Sequence, residues 1–383
     1  KKNSQLKLEN PIFNLDWKDI YYDETNNLKN FSFKGVNQVL YKSKKVTKSS
    51  ANEFMLYENE NIILTDQKGT ITVFSSNNKK IVNKFNFYKN RFKKIKKYLN
   101  IIVDKNIIYV SDNLGYLYAY NYKKSKIIWA KNYKTPFRSN LKLSKDQLIL
   151  ANQNNGLLFI NRSNGEIIKL IPTEETKIQN KFKNNLSINK DTVLFLNTYG
   201  SLYSINLKDM RINWFLNLNQ TFDLNPSNLF FGSQLVSFDD KISVSSNNFT
   251  YIIDSNTGSI LYKINFSSKI RPLMIKNHLI AITKNNFLII VDTKSNNVIY
   301  STDISKKILK YLKLKKTKIN SQSIFIANNY IYIVLENSQL IKLNLRGNLE
   351  KIVKLPNTIN SQPLFVNDLM IYLNKSGRLV FLY

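Results

Sequence analysis

Eight times along the chain, about every forty residues, one unit recurs: an apolar strand, a polar turn, an alternating strand ending in Asn or Asp, and a third strand. Its clearest copy runs Ile107-Ile108-Tyr109-Val110, turns at Ser111 to Gly115, continues as Tyr116-Leu117-Tyr118-Ala119-Tyr120-Asn121 and closes on Ile127-Ile128-Trp129. Aligned on Gly115, the other copies sit at Gly69, Gly156, Gly200, Asn248, Asn286, Ser338 and Gly377, in steps of 38 to 52 residues. That is the length of one four-stranded propeller blade, and the period fixes the fold class ahead of any composition argument.

The strand before the turn is a continuous apolar run, as in Ile62-Ile63-Leu64, so it should be buried on both faces. The strand after it alternates, which sends its two residue sets to opposite sides of the sheet. Glycine, or Asn in its place, suits a turn that needs positive φ. Trp129, Trp214, Tyr262 and Tyr300 share one repeat position and should pack between neighbouring blades. The last unit stops at Tyr383 without a fourth strand, whereas Val39-Leu40-Tyr41-Lys42 resembles Ile127-Ile128-Trp129-Ala130 and has no unit of its own. We therefore expect an all-β, eight-bladed propeller of four-stranded antiparallel blades, closed by an N-terminal strand that completes the C-terminal blade. Residues 36–383 form the propeller, and 1–35 read as a polar N-terminal tether.

Composition narrows the chemistry. The 383 residues include no cysteine, which excludes disulfides, thiolate metal sites and cysteine nucleophiles in the sequence given. One histidine, His278, leaves no room for histidine clusters or a histidine-based triad, and it reads as a solvated turn residue. There is no Gly-rich phosphate loop and no distinctive carboxylate pair, so we expect no enzyme and no cofactor. No apolar run approaches the roughly 20 residues that span a bilayer. The polar start at Lys1 suggests an N-terminus trimmed of any targeting segment.

Charge is the other strong signal: 57 Lys and Arg against 26 Asp and Glu give a net +31. Two clusters, 89–97 and 306–316, fall in the long repeat steps and should be surface connections. Basic stretches with interleaved aromatics can meet nucleic acid or an anionic membrane surface. Lysine is abundant along the whole chain, however, so solvation of the surface is the favoured reading.

The residues Asp112-Asn113-Leu114-Gly115-Tyr116-Leu117-Tyr118-Ala119-Tyr120-Asn121, followed by Lys126-Ile127-Ile128-Trp129, resemble the repeat of pyrroloquinoline-quinone-type propellers. Eight blades with no added domain, together with Asn14-Leu15-Asp16-Trp17 ahead of the first blade, are similar to the outer-membrane protein assembly factor BamB family of the alphaproteobacterial type. This resemblance implies a non-catalytic, monomeric scaffold at the periplasmic face of the outer membrane. Its partner would be the periplasmic domains of the central barrel assembly subunit, and a lipid anchor would lie upstream of Lys1. It also points to the connections after the third and fourth blades, where Lys177, Ile178, Lys181, Phe182, Lys183, Phe222, Asp223 and Leu224 combine apolar anchors with a charged rim. The family's Leu-x-Leu-Arg pattern is absent from the first of these connections, so no binding residue is carried over individually. Phe182 and Phe222 have a second reading, as residues tucked into a neighbouring blade. The alternative functions are a basic propeller for nucleic acid or anionic membranes, and a quinone-dependent dehydrogenase. The dehydrogenase would need a cluster of hard oxygen ligands that the sequence does not display.

Overall fold

The computed structural model describes residues 6, 8–35, 38–88, 92–175, 181–219, 230–315 and 319–383. These form eight sheets arranged as the blades of a propeller, plus one helix, Ile304–Leu312. The inner strands, in blade order, are Ala51–Glu58, Asn100–Asp104, Lys142–Ser144, Asn185–Asn189, Val236–Phe238, Leu273–Ile275, Ser321–Ala327 and Leu364–Val366. Each blade then steps outward strand by strand in sequence order.

Closure follows the expected route. Val39–Lys45 pairs antiparallel with Arg378–Leu382, so the eighth blade takes its outermost strand from the start of the chain. Tyr41 stands where Trp129 stands in the second blade, and the equivalence is physical. Tyr41 donates its hydroxyl to Lys79 O (3.2 Å) in the first blade, as Trp129 Nε1 donates to Arg162 O (2.9 Å) in the third. Trp214 Nε1 reaches Ser255 O in the same way, at 3.1 Å, and the Tyr262 hydroxyl reaches Lys294 O at 2.5 Å. These four aromatics thus tie their blades to the hairpin of the next, whereas Tyr300 meets the next hairpin through its ring against Gly347 alone, its hydroxyl having no hydrogen-bond partner among the described residues. Gly165 and Gly258 lie under the rings of Trp129 and Trp214, where an added Cβ would come within 2.6 Å of ring atoms.

Alternation works as expected in the strand Tyr116–Asn121, and both of its faces are interior. Tyr118 and Tyr120 pack towards the first blade, while Leu117 and Ala119 pack towards the third. The turn ahead of this strand is locked by Asp112, whose Oδ1 accepts from the Leu114 and Tyr116 amides, both at 2.8 Å. Positive φ is found at Gly69, Gly115, Gly200, Asn286, Ser338 and Gly377. In the third blade it falls on Asn155 instead of Gly156, and Asn248 does not need it.

The described part of the N-terminal segment is not a free tether. It enters the ring and circles the axis once, bonding to the inner strands in blade order. Asn14 Nδ2 donates to Phe365 O of the eighth blade (2.7 Å), and Trp17 exchanges backbone bonds with Tyr57 of the first (2.7 and 2.8 Å). The Val103 amide of the second blade donates to Lys18 O (3.0 Å), and Lys142 of the third meets Asp19. Ile188 and Ser237 donate to Glu24 O and Thr25 O, at 2.7 and 3.1 Å. Asn27 then brackets Met274 of the sixth blade from both sides, donating to its carbonyl (2.6 Å) and accepting from its amide (3.0 Å). Finally Asn30–Phe31 pairs in parallel with the inner strand of the seventh blade, which becomes five-stranded. The inner edge of a propeller exposes unpaired backbone groups, and this segment satisfies them. Its polar composition reflects that task, since Asn26, Asn27 and Asn30 are all buried.

The described part of the basic stretch 306–316 is also more structured than a plain connection. Helix Ile304–Leu312 is capped by Asp303, whose side chain accepts from the Lys306 amide, and it buries Ile304 and Ile308 while Lys306 and Lys310 are exposed and Lys307 Nζ donates to Gly347 O at 2.6 Å.

Candidate functional site

Because strands alternate direction, every connection between blades lies on one face of the ring, together with the turn between each blade's second and third strands. On that face the axis opens as a blind funnel of about 180 Å³, floored by Trp17, Tyr21 and Leu28 of the circling segment. Four of its lining residues, Gln234, Arg271, Ser323 and Gln362, share one repeat position, seven residues before the second strand of each blade, which Phe54, Asn100, Asn140 and Asn185 fill in the other blades. Seven of the eight are polar. This register was readable in the sequence once the hairpins were aligned, yet it drew no notice because no single residue type runs through it, Asn filling three places and Gln two.

Two cations stand in the funnel wall. Arg271 Nη1 donates to Tyr21 O (2.6 Å) and Asn26 O (2.9 Å), and its guanidinium lies 5.1 Å from the Tyr21 ring centroid. Lys269 donates to the Asn320 side chain at 3.2 Å. The one carboxylate in the wall, Glu53, accepts from Gln362 Nε2 at 3.0 Å. Burial pulls the Arg271 pKa below the ordinary arginine value, offset first by Tyr21 and then by Asp19, Asp23 and Glu53.

The expected partner-binding residues divide. Lys177, Ile178, Phe222, Asp223 and Leu224 lie outside the described residues. Phe182 is buried, and its ring packs on Phe230 with centroids 5.0 Å apart at 76°, amid Leu194, Leu218 and Leu235. Its second reading, as a residue tucked between blades, therefore describes where it sits. This contact joins the connection after the third blade to the one after the fourth. Lys181 and Lys183 flank it on the surface, and Lys183 Nζ lies 6.0 Å over the Tyr98 ring. Arg138 donates to Phe182 O at 3.1 Å. The first and second connections, through Tyr98 and Arg138, thus meet the third on the funnel face.

His278 is not a turn residue. It opens the strand His278–Ile282 opposite Asp292, and burial lowers its pKa from 6.5. Among the described residues, no three His, Cys, Asp or Glu side chains converge to hold a metal ion.

A sequence profile of the family described as outer membrane protein assembly factor BamB matches residues 40–264, more than half of the chain. The chain belongs to the BamB family. Among solved structures, BamB from Moraxella catarrhalis superposes with a TM-score of 0.70 at 10% identity, covering 90% of this chain and 99% of that one. The computationally designed Ika8 protein gives 0.67 at 10% identity over 90% of this chain and 99% of its own. The quinohemoprotein alcohol dehydrogenase from Comamonas testosteroni gives 0.66 at 9% identity over 96% and 80%. No curated protein sequence matches the chain. At such identities the structural likenesses carry the propeller fold alone, and the BamB assignment rests on the profile.

Proposed function

We propose that the chain is a non-catalytic scaffold of the outer-membrane β-barrel assembly machinery, binding the periplasmic domains of the central barrel subunit from the periplasmic side of the membrane. The observation that carries this reading, beyond family membership, is the contact of Phe182 with Phe230. It fixes the third and fourth connections side by side on one face of a rigid ring. Around it Lys181 and Lys183 supply charge, and Phe231 is 43% exposed. A small apolar centre with a polar rim suits a modest protein interface.

The chain approaches the ring from the other face. Leu6 is buried beside Asn328, Asn329 and Asn344, in turns opposite the funnel. An upstream lipid anchor would therefore leave the funnel face free for a partner. The quinone-dependent alternative is weaker, because the funnel wall offers the single carboxylate Glu53 where a hard cation calls for several oxygen ligands.

The test is a pull-down of the barrel subunit's periplasmic domains from the same organism, using wild type and a folded Lys181→Glu, Lys183→Glu, Phe222→Asp variant. Wild type should retain the domains and the variant should lose them by at least tenfold. A wild type that retains nothing refutes the scaffold function, whereas equal retention by the variant refutes only the assignment to these connections.

A further inference from the structure

We propose that a recess on the funnel face, at the seam where the eighth blade meets the first, binds a phosphomonoester group through four lysines. This inference rests on the seam's own geometry and is independent of the scaffold reading.

Closure of the ring gathers lysines that are far apart in sequence. Lys45 ends the closing strand, and Lys48 lies in the connection from it to the first blade. Lys68 sits in the turn between that blade's second and third strands, and Lys375 in the corresponding turn of the eighth. All four line one open recess of about 480 Å³. That is within the roughly 300–1,000 Å³ of small-molecule clefts. None of them belongs to the two basic clusters of the sequence.

Their charge is not answered from within the protein. Among the described residues no carboxylate lines the recess. Asp66, two residues before Lys68, is buried, and its Oδ1 accepts from the Lys68 and Thr70 amides at 2.9 and 3.0 Å. None of the four ammonium groups forms an ion pair or a hydrogen bond among the described residues. Four like charges around one recess repel one another and raise its positive potential, so an anion of high charge is the solute it attracts most.

The donors are within reach of a solute. The four lysines are exposed, and so are Ser50 and Ser376, which line the same recess. The backbone that carries them is fixed across the seam. The Val46 amide donates to Gly377 O (2.8 Å), the Gln67 amide to Ser50 O (2.9 Å) and the Lys375 amide to Thr358 O (2.8 Å). Lys45 extends over the turn of the eighth blade, its Cε 3.5 Å from where a Cβ on Gly377 would stand. Long cationic arms on a fixed frame suit a compact, highly charged group, because an ammonium meets phosphate as a point charge. A phosphomonoester brings about −1.5 to −2 charges and three acceptor oxygens. A carboxylate or a phosphodiester brings a single charge.

The experiment is isothermal titration of the full chain with glycerol phosphate and with dimethyl phosphate, a diester of single charge. Physiological salt screens attraction to the rest of the basic surface. Glycerol phosphate should bind saturably, and dimethyl phosphate several-fold more weakly. The exposed pair Lys48→Glu, Lys375→Glu should keep the melting curve and weaken glycerol phosphate by about tenfold or more, since each reversal turns an attraction into a repulsion. A control pair, Lys123→Glu, Lys124→Glu, alters net charge equally in an exposed hairpin of the second blade and should leave binding within about twofold. Flotation with phosphatidate vesicles but not phosphatidylglycerol vesicles, lost in the Lys48 and Lys375 variant, would support the same site and identify a lipid headgroup as the source. Titration without flotation would identify a soluble ester. No saturable binding of glycerol phosphate or phosphatidate, dimethyl phosphate binding as tightly, or equal loss in both double variants would overturn the proposal.

Discussion

Lys142 shows how a single residue can contradict its own composition class. It sits between Leu141 and Leu143 in an inner strand with no exposed surface, and its ammonium meets Asp19 (2.7 Å) and Asp23 O (2.8 Å). Breaking a buried pair leaves one charge stranded, so Lys142→Ala should lower unfolding free energy by about 3–5 kcal/mol in urea titration. Replacing Lys142 and Asp19 together with leucines should recover much of that loss. A single variant as stable as wild type would mean that the pair is not a fastening. His278 gives a prediction in pH. Its folded pKa lies below the unfolded value near 6.5, so the unfolded chain binds more protons between the two. Stability should therefore decline as pH falls below that value and level off beneath the folded pKa. His278→Gln should remove this component from the melting temperature measured across the range. Legibility at this scale was uneven. Trp129, Trp214 and Tyr262 were readable because the repeat superimposes them. Arg271 and Lys142 were not, because each is singular at its repeat position and a lysine-rich sequence hides one lysine among many. The five expected contact residues at 177–178 and 222–224 lie outside the described residues, so the sequence reading there stands as a proposal.

At the scale of elements, the closing strand Val39–Lys45 was legible by elimination, since the last unit lacked a strand and this one lacked a unit. The circling segment was not, because it obeys no repeat and its asparagines imitate a solvated tail. Its side-chain amides replace water on the inner strand edges, which no hydropathy pattern records. The helix Ile304–Leu312 was hidden inside a charge run, although Asp303 and the spacing of Ile304 and Ile308 announce it. Two truncations separate these elements. Removal of residues 1–45 should open the eighth blade and abolish a cooperative melt. Removal of residues 1–35 should keep the ring closed but lower the melting temperature, with faster amide exchange at Ile188, Ser237 and Met274, whose N–H groups the segment covers. Unchanged exchange at those amides would show that the segment does not hold the inner edges in solution.

At the scale of the whole molecule, the net charge of +31 predicts weak attraction to any polyanion, and such attraction falls steeply with ionic strength. Filter binding to duplex DNA should therefore disappear by physiological salt. Persistence there would favour a nucleic-acid function over the scaffold. The circle drawn by residues 14–34 has a further consequence, one of timing. Its partners are spread from Tyr57 to Asp368, so no part of synthesis short of the final blade can complete it. A nascent chain can form early blades from local hairpins as they emerge, but their inner edges stay bare until the last strands arrive. Residues 14–34, made before every blade, are thus among the last to find their places.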